Sequence, residues 1–242
     1  MLLMGGNRLH YTQESYPFYL TEIEDTLILE KQINYCKTLN ANQYLFCIKK
    51  EDIDSFHVDA VITQLIPEAS IIPILKQTKG AVCTALLACG ELELERELII
   101  MSIDDCIDVE SSTILHYFRN MQADAGVISF TSVHPRYSFA RTLPNSNIVI
   151  EVAEKHPISK HALASFYYFK QANDFIECAK EVIRKDNPIH TAFYISQTLN
   201  EMILQQKKVH MYKIQNDFFH PLKTKHQLAQ YLTELKELKE SK

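Results

Sequence analysis

A chain of 242 residues, 46% of them hydrophobic, has enough apolar material for one large core, and no Pro, Gly or Ser linker divides it. Its 25 basic and 30 acidic residues give a net charge of −5 with both signs scattered along the chain, a pattern that argues against nucleic acid as a partner. No apolar stretch approaches the ~18 residues of a membrane span, and the opening MLLMGGNRLH lacks the basic region and long apolar run of a signal peptide.

In chain order, short β-branched apolar runs alternate with helical patterns, as in layered α/β domains with a largely parallel sheet. The runs predict strands over 2–4, 43–48, 70–75, 98–103, 125–131, 148–152, 164–169 and 209–214. Helical spacing predicts helices over 25–39, 81–88, 111–121, 172–184, 191–205 and 225–238, the last amphipathic with a charged, fraying end. The expectation is a single domain over residues 1–242, three-layer α/β/α, with a mostly parallel mixed sheet. Edge strands and the amphipathic terminal helix are compatible with a homodimer. Cys36, Cys47, Cys83, Cys89, Cys106 and Cys178 show no CxxC or CxxH spacing and most lie in apolar runs, so they read as reduced core thiols of a cytoplasmic protein.

Four segments carry residue types suited to phosphate chemistry. After the first strand, Met4-Gly5-Gly6-Asn7-Arg8 combines a backbone that can approach phosphates closely with a forked cation, although a plain Gly-Gly turn would read the same way. Gly80 and Thr84 open a helix in TKGAVCTALL, where N-terminal amides could meet a base or phosphate. Asp104 and Asp105 end the apolar run LIIMSI at the edge where open α/β sheets place their ligands. Paired carboxylates there suit Mg2+; the alternative is a solvated loop start. Glu154 and Lys155 follow a strand in EVAEKHPIS, an acid for sugar hydroxyls beside a base for a phosphate. His134, His156 and His161 and the arginines Arg136 and Arg141 lie near these segments, and surface or core roles suit them equally. Tyr167, Tyr168 and Phe169 read as core.

The order and spacing of TKGAVCTALLA, LIIMSIDDCID, AGVISFTSVHPRYSFAR and VIEVAEKHPISKHALASFYYF resemble the sugar-phosphate nucleotidyltransferases, a GT-A-like, Rossmann-type family. The nearest likeness is to a branch serving capsule and surface-polysaccharide synthesis, which includes a cytidylyltransferase acting on phosphoglutamine; FYISQTLNEMI is similar to that branch's FYV-x-P-x-YNE segment. The resemblance implies that Met4, Gly5, Gly6 and Arg8 cradle a nucleoside triphosphate and that Gly80 lies by the nucleobase. It further implies that Asp104 holds catalytic Mg2+, and that Glu154, Lys155, Asn200 and Glu201 face a small phosphorylated acceptor. Arg8, Asp104 and Lys155 would then carry catalysis.

Three departures stand out. The family's Pro-Lys-Pro-Leu segment reads Pro17-Phe18-Tyr19-Leu20, so its phosphate-contacting Lys is Phe18, and its Gly-Thr-Pro-Glu-Asp turn reads Lys223-Thr224-Lys225-His226-Gln227. The Asp that often precedes that turn as second metal ligand is missing from Phe218-Phe219-His220-Pro221, and Asp217 could replace it only through a rearranged loop. The leading expectation is a nucleotidyltransferase that joins a nucleoside triphosphate to a phosphorylated acceptor and releases pyrophosphate. The alternatives are a degenerate relative that binds without turnover and a GT-A glycosyltransferase.

Overall fold

A computed structural model describes residues 1–5, 16–23 and 25–240 of the chain. The first half runs β1 (Leu2–Met4), a 3-10 turn at Phe18–Leu20, β2 (Glu22–Ile23), β3 (Thr26–Leu27), α1 (Ile28–Thr38), β4 (Leu45–Lys49), α2 (Lys50–Phe56), α3 (Val58–Leu65), β5 (Ser70–Ile74), α4 (Ala81–Leu86), β6 (Leu98–Ser102), β7 (Asp105–Ile107) and α5 (Ser111–Asn120). The second half runs β8 (Ala125–Thr131), β9 (Ser138–Thr142), β10 (Val149–Glu154), β11 (His161–Phe169), α6 (Ala172–Arg184), α7 (Ile195–Leu204), β12 (Val209–Lys213), β13 (Phe219–Pro221) and α8 (Lys225–Glu240).

Among the described residues nine strands form one sheet in the order β5-β4-β1-β6-β11-β8-β12, with β9 and then β10 added beside the first half of β11. The neighbours β1–β4, β1–β6, β4–β5 and β8–β12 are parallel, whereas β11 opposes β6, β8 and β9, and β10 opposes β9. Within this sheet all strands but β10 and β11 therefore point one way, giving the mostly parallel mixed sheet that the alternation of apolar runs predicts.

Strand pleating sends alternate side chains to opposite faces, and the two cores divide accordingly. Leu2 and Met4 join Phe46, Ile48 and Met101 beneath α1, α3, α5 and α8, while Leu3, Cys47 and Ile100 pack under α4, α6 and α7. In α6, Phe175, Ile176, Ala179 and Val182 recur at helical spacing and are all buried. Among the described residues, no helix is long and apolar enough to cross a membrane.

Several elements differ from the sequence expectation for local reasons. The gap over 49–69 holds α2 and α3, separated by His57 in the left-handed region (φ 50°), where the chain turns between two short helices. The strand expected at 164 begins at His161 and is long enough to change neighbours, from β9 at Ala162 to β6 at Phe166. The helix expected from 191 begins at Ile195, because Ile189 and Ala192 close a small bridge first. Finally, β13 pairs antiparallel with β7, Pro221 opposite Asp105, a contact that neither three-residue strand announces in sequence.

Candidate functional site

β1, β6, β10 and β11 come together around a cavity of about 480 Å³ whose walls include Gly5, Gly80, Asp104, Glu154, Lys155 and Lys223. Residues distant in sequence meet here because the sheet ends at this edge, the usual place for ligands in open α/β sheets.

The Asp104 end is built by two ladders. β6 ends at Ser102, whose hydroxyl donates to Asp104 Oδ1 at 2.5 Å. The next residue, Asp105, turns inward and is almost wholly buried, where its Oδ2 accepts the Ser165 amide at 3.0 Å. That amide is available because β11 breaks register with β8 between Leu163 and Tyr167. Opposite, the β13–β7 pairing is continued by the Leu222 amide, which donates to the Asp104 carbonyl at 2.7 Å. The following side chain, Lys223, reaches Asp105 with its Nζ 3.0 Å from Oδ1 and 3.2 Å from Oδ2. Thr224 and Gln227 fix this approach from behind: the Gln227 amide donates to Thr224 Oγ1 at 3.2 Å, and Gln227 Oε1 accepts the Lys223 amide at 3.1 Å. The run Thr-Lys-His-Gln thus caps the start of α8, Thr224 accepting the Gln227 amide while Gln227 holds the backbone of the lysine.

Burial pushes the Asp104 carboxyl above its ordinary value, although Lys223 pulls it down. Burial alone would lower the Lys223 ammonium; Asp105 and Asp104 outweigh it and hold that group above its ordinary value. Lys223 is thereby held as a cation against Asp105.

Glu154 and Lys155 form the other end. Glu154 Oε2 accepts from the hydroxyl of Ser138 and, at 2.8 Å, from that of Ser196, which ties β10 to β9 and α7. Lys155 has φ 55°, a conformation that turns the chain off β10 and sends its Nζ to the Tyr194 hydroxyl at 2.6 Å. Tyr167 lies between the two ends, and burial raises its hydroxyl well above the ordinary range.

The remaining expected residues fall elsewhere. Met4 is a core residue of β1 in register with Ile48, and it leads the chain to Gly5 without lining the cavity itself. Gly6 and Arg8 lie outside the described residues. Asn200 clamps β10, its Oδ1 accepting the Val152 amide at 2.9 Å and its Nδ2 donating to the Val152 carbonyl at 2.8 Å. Glu201 pairs with Lys185 at 2.7 Å, and both residues line a separate cleft of about 280 Å³ with Asn200. Phe18 is buried in the core against Tyr19, so apolar packing occupies the position where the resemblance calls for a phosphate-binding lysine. Arg136 lies at the cavity edge and bonds to His134, whereas Arg141 pairs with Glu151 at 2.7 Å. Asp217 is exposed in the 3-10 turn Asn216–Phe218 and does not line the cavity.

The residues around Asp104 do not fit a magnesium ion. Mg2+ takes near-octahedral oxygen ligands, commonly one or two carboxylates with water and phosphate. Here Asp105 is already bound by Ser165 and Lys223, and Asp104 would bring the ion against a fixed ammonium. Lys223, Ser165, Ser138, Ser196 and Tyr194 were missed as site residues by sequence reasoning. Only Lys223 carried a signal, the T-x-x-Q cap that follows it.

The fold is shared with several solved structures. A nucleoside-diphosphate-sugar pyrophosphorylase from Vibrio cholerae RC9 superposes with a TM-score of 0.80 over 96% of this chain and 100% of its own, at 20% sequence identity. A putative glucose-1-phosphate thymidylyltransferase from Bacillus anthracis, solved in complex with a sucrose, gives 0.74 at 16% identity over 97% and 93% of the two chains. A UDP-glucose pyrophosphorylase complexed with UDP-glucose gives 0.73 at 14% identity over 98% and 97%. No family model matches the sequence, and no curated protein does. At these identities the likeness establishes the GT-A-like, Rossmann-type architecture.

Proposed function

We propose that this chain takes a nucleoside triphosphate and a small phosphorylated acceptor into the 480 Å³ cavity and joins them with release of pyrophosphate. One observation carries the reading: a single cavity at the ligand edge of the sheet holds an acid–ammonium cluster at Asp104–Asp105–Lys223 and an acid–base pair at Glu154–Lys155. It stands on an architecture shared with enzymes named as nucleotide-sugar pyrophosphorylases.

In this reading the acceptor's phosphate oxygen attacks the α-phosphorus in line and the bond to pyrophosphate breaks. The nucleophile is already an anion, so no general base is required. Lys155, restrained by Tyr194, would orient the acceptor phosphate, and Glu154, held by two hydroxyls, would receive hydroxyl groups of the acceptor. Lys223 would place positive charge near the nucleotide phosphates. The likeness of the VIEVAEKHPIS stretch to surface-polysaccharide enzymes supports a place in cytoplasmic synthesis of activated polysaccharide precursors.

A second reading, binding without turnover, is favoured by the burial of Phe18 where the family resemblance calls for a phosphate-contacting lysine. Pyrophosphate release should be followed with each common nucleoside triphosphate and a panel of phosphorylated acceptors, in Mg2+ and in EDTA, beside Asp104→Ala and Lys155→Ala. Release that requires one triphosphate and one acceptor and drops in both variants supports transfer. Silence across the panel, with calorimetric binding retained, supports the second reading.

A further inference from the structure

We propose that the Lys223 ammonium stands in for a divalent cation at Asp104 and Asp105, so that this cavity holds a ligand's phosphate groups without a metal ion. The proposal rests on the reading of the cavity as a nucleotide and sugar-phosphate site.

Three observations converge on it. The β13–β7 ladder and the Thr224–Gln227 cap deliver Lys223 to this point by backbone geometry, so its approach is built into the fold. Its Nζ contacts both oxygens of Asp105, a carboxylate that is 1% exposed, and this contact uses the charge that would otherwise be available to coordinate a cation. The Lys223 side chain is itself 34% exposed and lines the cavity beside Asp104.

An ammonium has three N–H donors. One N–H donates to Asp105 Oδ2, which leaves donor capacity for a ligand oxygen in the cavity. As a compact point charge it can neutralise a phosphate much as a metal ion does, without demanding six oxygen ligands. A divalent ion placed on Asp104 would meet the same ammonium as a repulsive neighbour. Lys223 therefore gives the site a covalently attached cation.

Two measurements on the full chain test this separately from the proposed transfer reaction. In the first, Mn2+ uptake is followed by electron paramagnetic resonance of the free ion at concentrations up to about 1 mM, a range in which weak oxygen sites fill. The wild type should take up no ion at this position, whereas Lys223→Gln and Lys223→Asp, each verified as folded by circular dichroism, should gain one that Asp104→Asn removes. Uptake by the wild type that Asp104→Asn abolishes would overturn the proposal, as would folded variants that gain no ion.

In the second, binding of inorganic pyrophosphate and of UDP-glucose is measured calorimetrically in EDTA and in Mg2+. The wild-type affinity should agree within about twofold between the buffers, and Lys223→Gln should weaken it about tenfold in EDTA, the scale of one charge-assisted contact. Binding that collapses in EDTA would overturn metal independence even if both variants fail to fold. Absence of binding for either probe in both buffers would overturn the phosphate half of the proposal and count against the cavity reading. The Mn2+ result decides the cation half by itself.

Discussion

Gly80 shows how a single residue can be fixed by two constraints at once. Its φ of 112° lies where L side chains are strained, and a Cβ added there would stand 2.4 Å from the Phe193 carbonyl oxygen. The contact is required because the Phe193 amide bonds to the Lys79 carbonyl at 2.7 Å and its carbonyl accepts the Val82 amide at 3.2 Å, joining the start of α4 to the segment before α7. Gly80→Ala is expected to destabilise the protein by about 2 kcal/mol or more through strain and displaced backbone. Urea denaturation reads it directly, and an unchanged midpoint would mean that the Phe193 segment yields without cost. The sequence singled out Gly80 through the pattern Thr-Lys-Gly-Ala-Val. That pattern could not reveal the partner, because Phe193 is distant in sequence and meets Gly80 only after the two edges of the fold close.

At the scale of elements, α7 is held to β10 through Asn200, which satisfies both the amide and the carbonyl of Val152. Asn200→Ala removes both bonds and leaves strand-edge groups without these partners, so a loss of about 1–3 kcal/mol is expected. If Asn200 also met the acceptor, ligand affinity would fall further than the stability change explains, which calorimetry on the folded variant can separate. The α8 cap offers a second case. Thr224→Ala should cost about 1 kcal/mol of stability, with thermal melting as the readout, and should loosen Lys223 over Asp105 because Gln227 binds both residues.

Elements with a long apolar run or a strong helical period were legible in sequence: β8 and α6 have the boundaries expected of them. The α2–α3 pair was not, because Lys50–Phe56 is short and largely charged and turns at His57 through a left-handed conformation. Nor was β7–β13, since two three-residue strands separated by most of the C-terminal half have no period to read. That missed pairing is the one that delivers Lys223 to Asp105, so the part of the site hidden from the sequence was hidden by non-local pairing. Asp104, Glu154 and Lys155 were easier to suspect because each directly follows or ends an apolar strand, where open sheets gather their ligands.

For the whole molecule, the cation position depends on a C-terminal assembly fastened to α1 and to the segment after β7. His220 on β13 contacts Asp108 through Nε2 at 3.0 Å and Glu234 on α8 through Nδ1 at 3.2 Å, and its ring lies 4.6 Å from that of Tyr231. Lys31 on α1 adds contacts to Asp108 and to the Tyr231 hydroxyl. Burial alone would raise the Asp108 carboxyl; the His220 hydrogen bond and the nearby Lys31 outweigh it and hold Asp108 below its ordinary value. The unfolded chain therefore binds more protons at this residue than the native protein does, and stability rises with pH across the interval. The contribution is complete above the unfolded value of about 4 and disappears as pH falls through the lower native value. Asp108→Asn should accordingly lower the urea midpoint at pH 7, with the gap to wild type closing as both proteins are moved toward pH 3. A gap that stays constant over that range would show that Asp108 contributes through packing alone. A gap that closes would establish that acid weakens the junction of β7, β13 and α8, the same junction that holds Lys223 against the cavity.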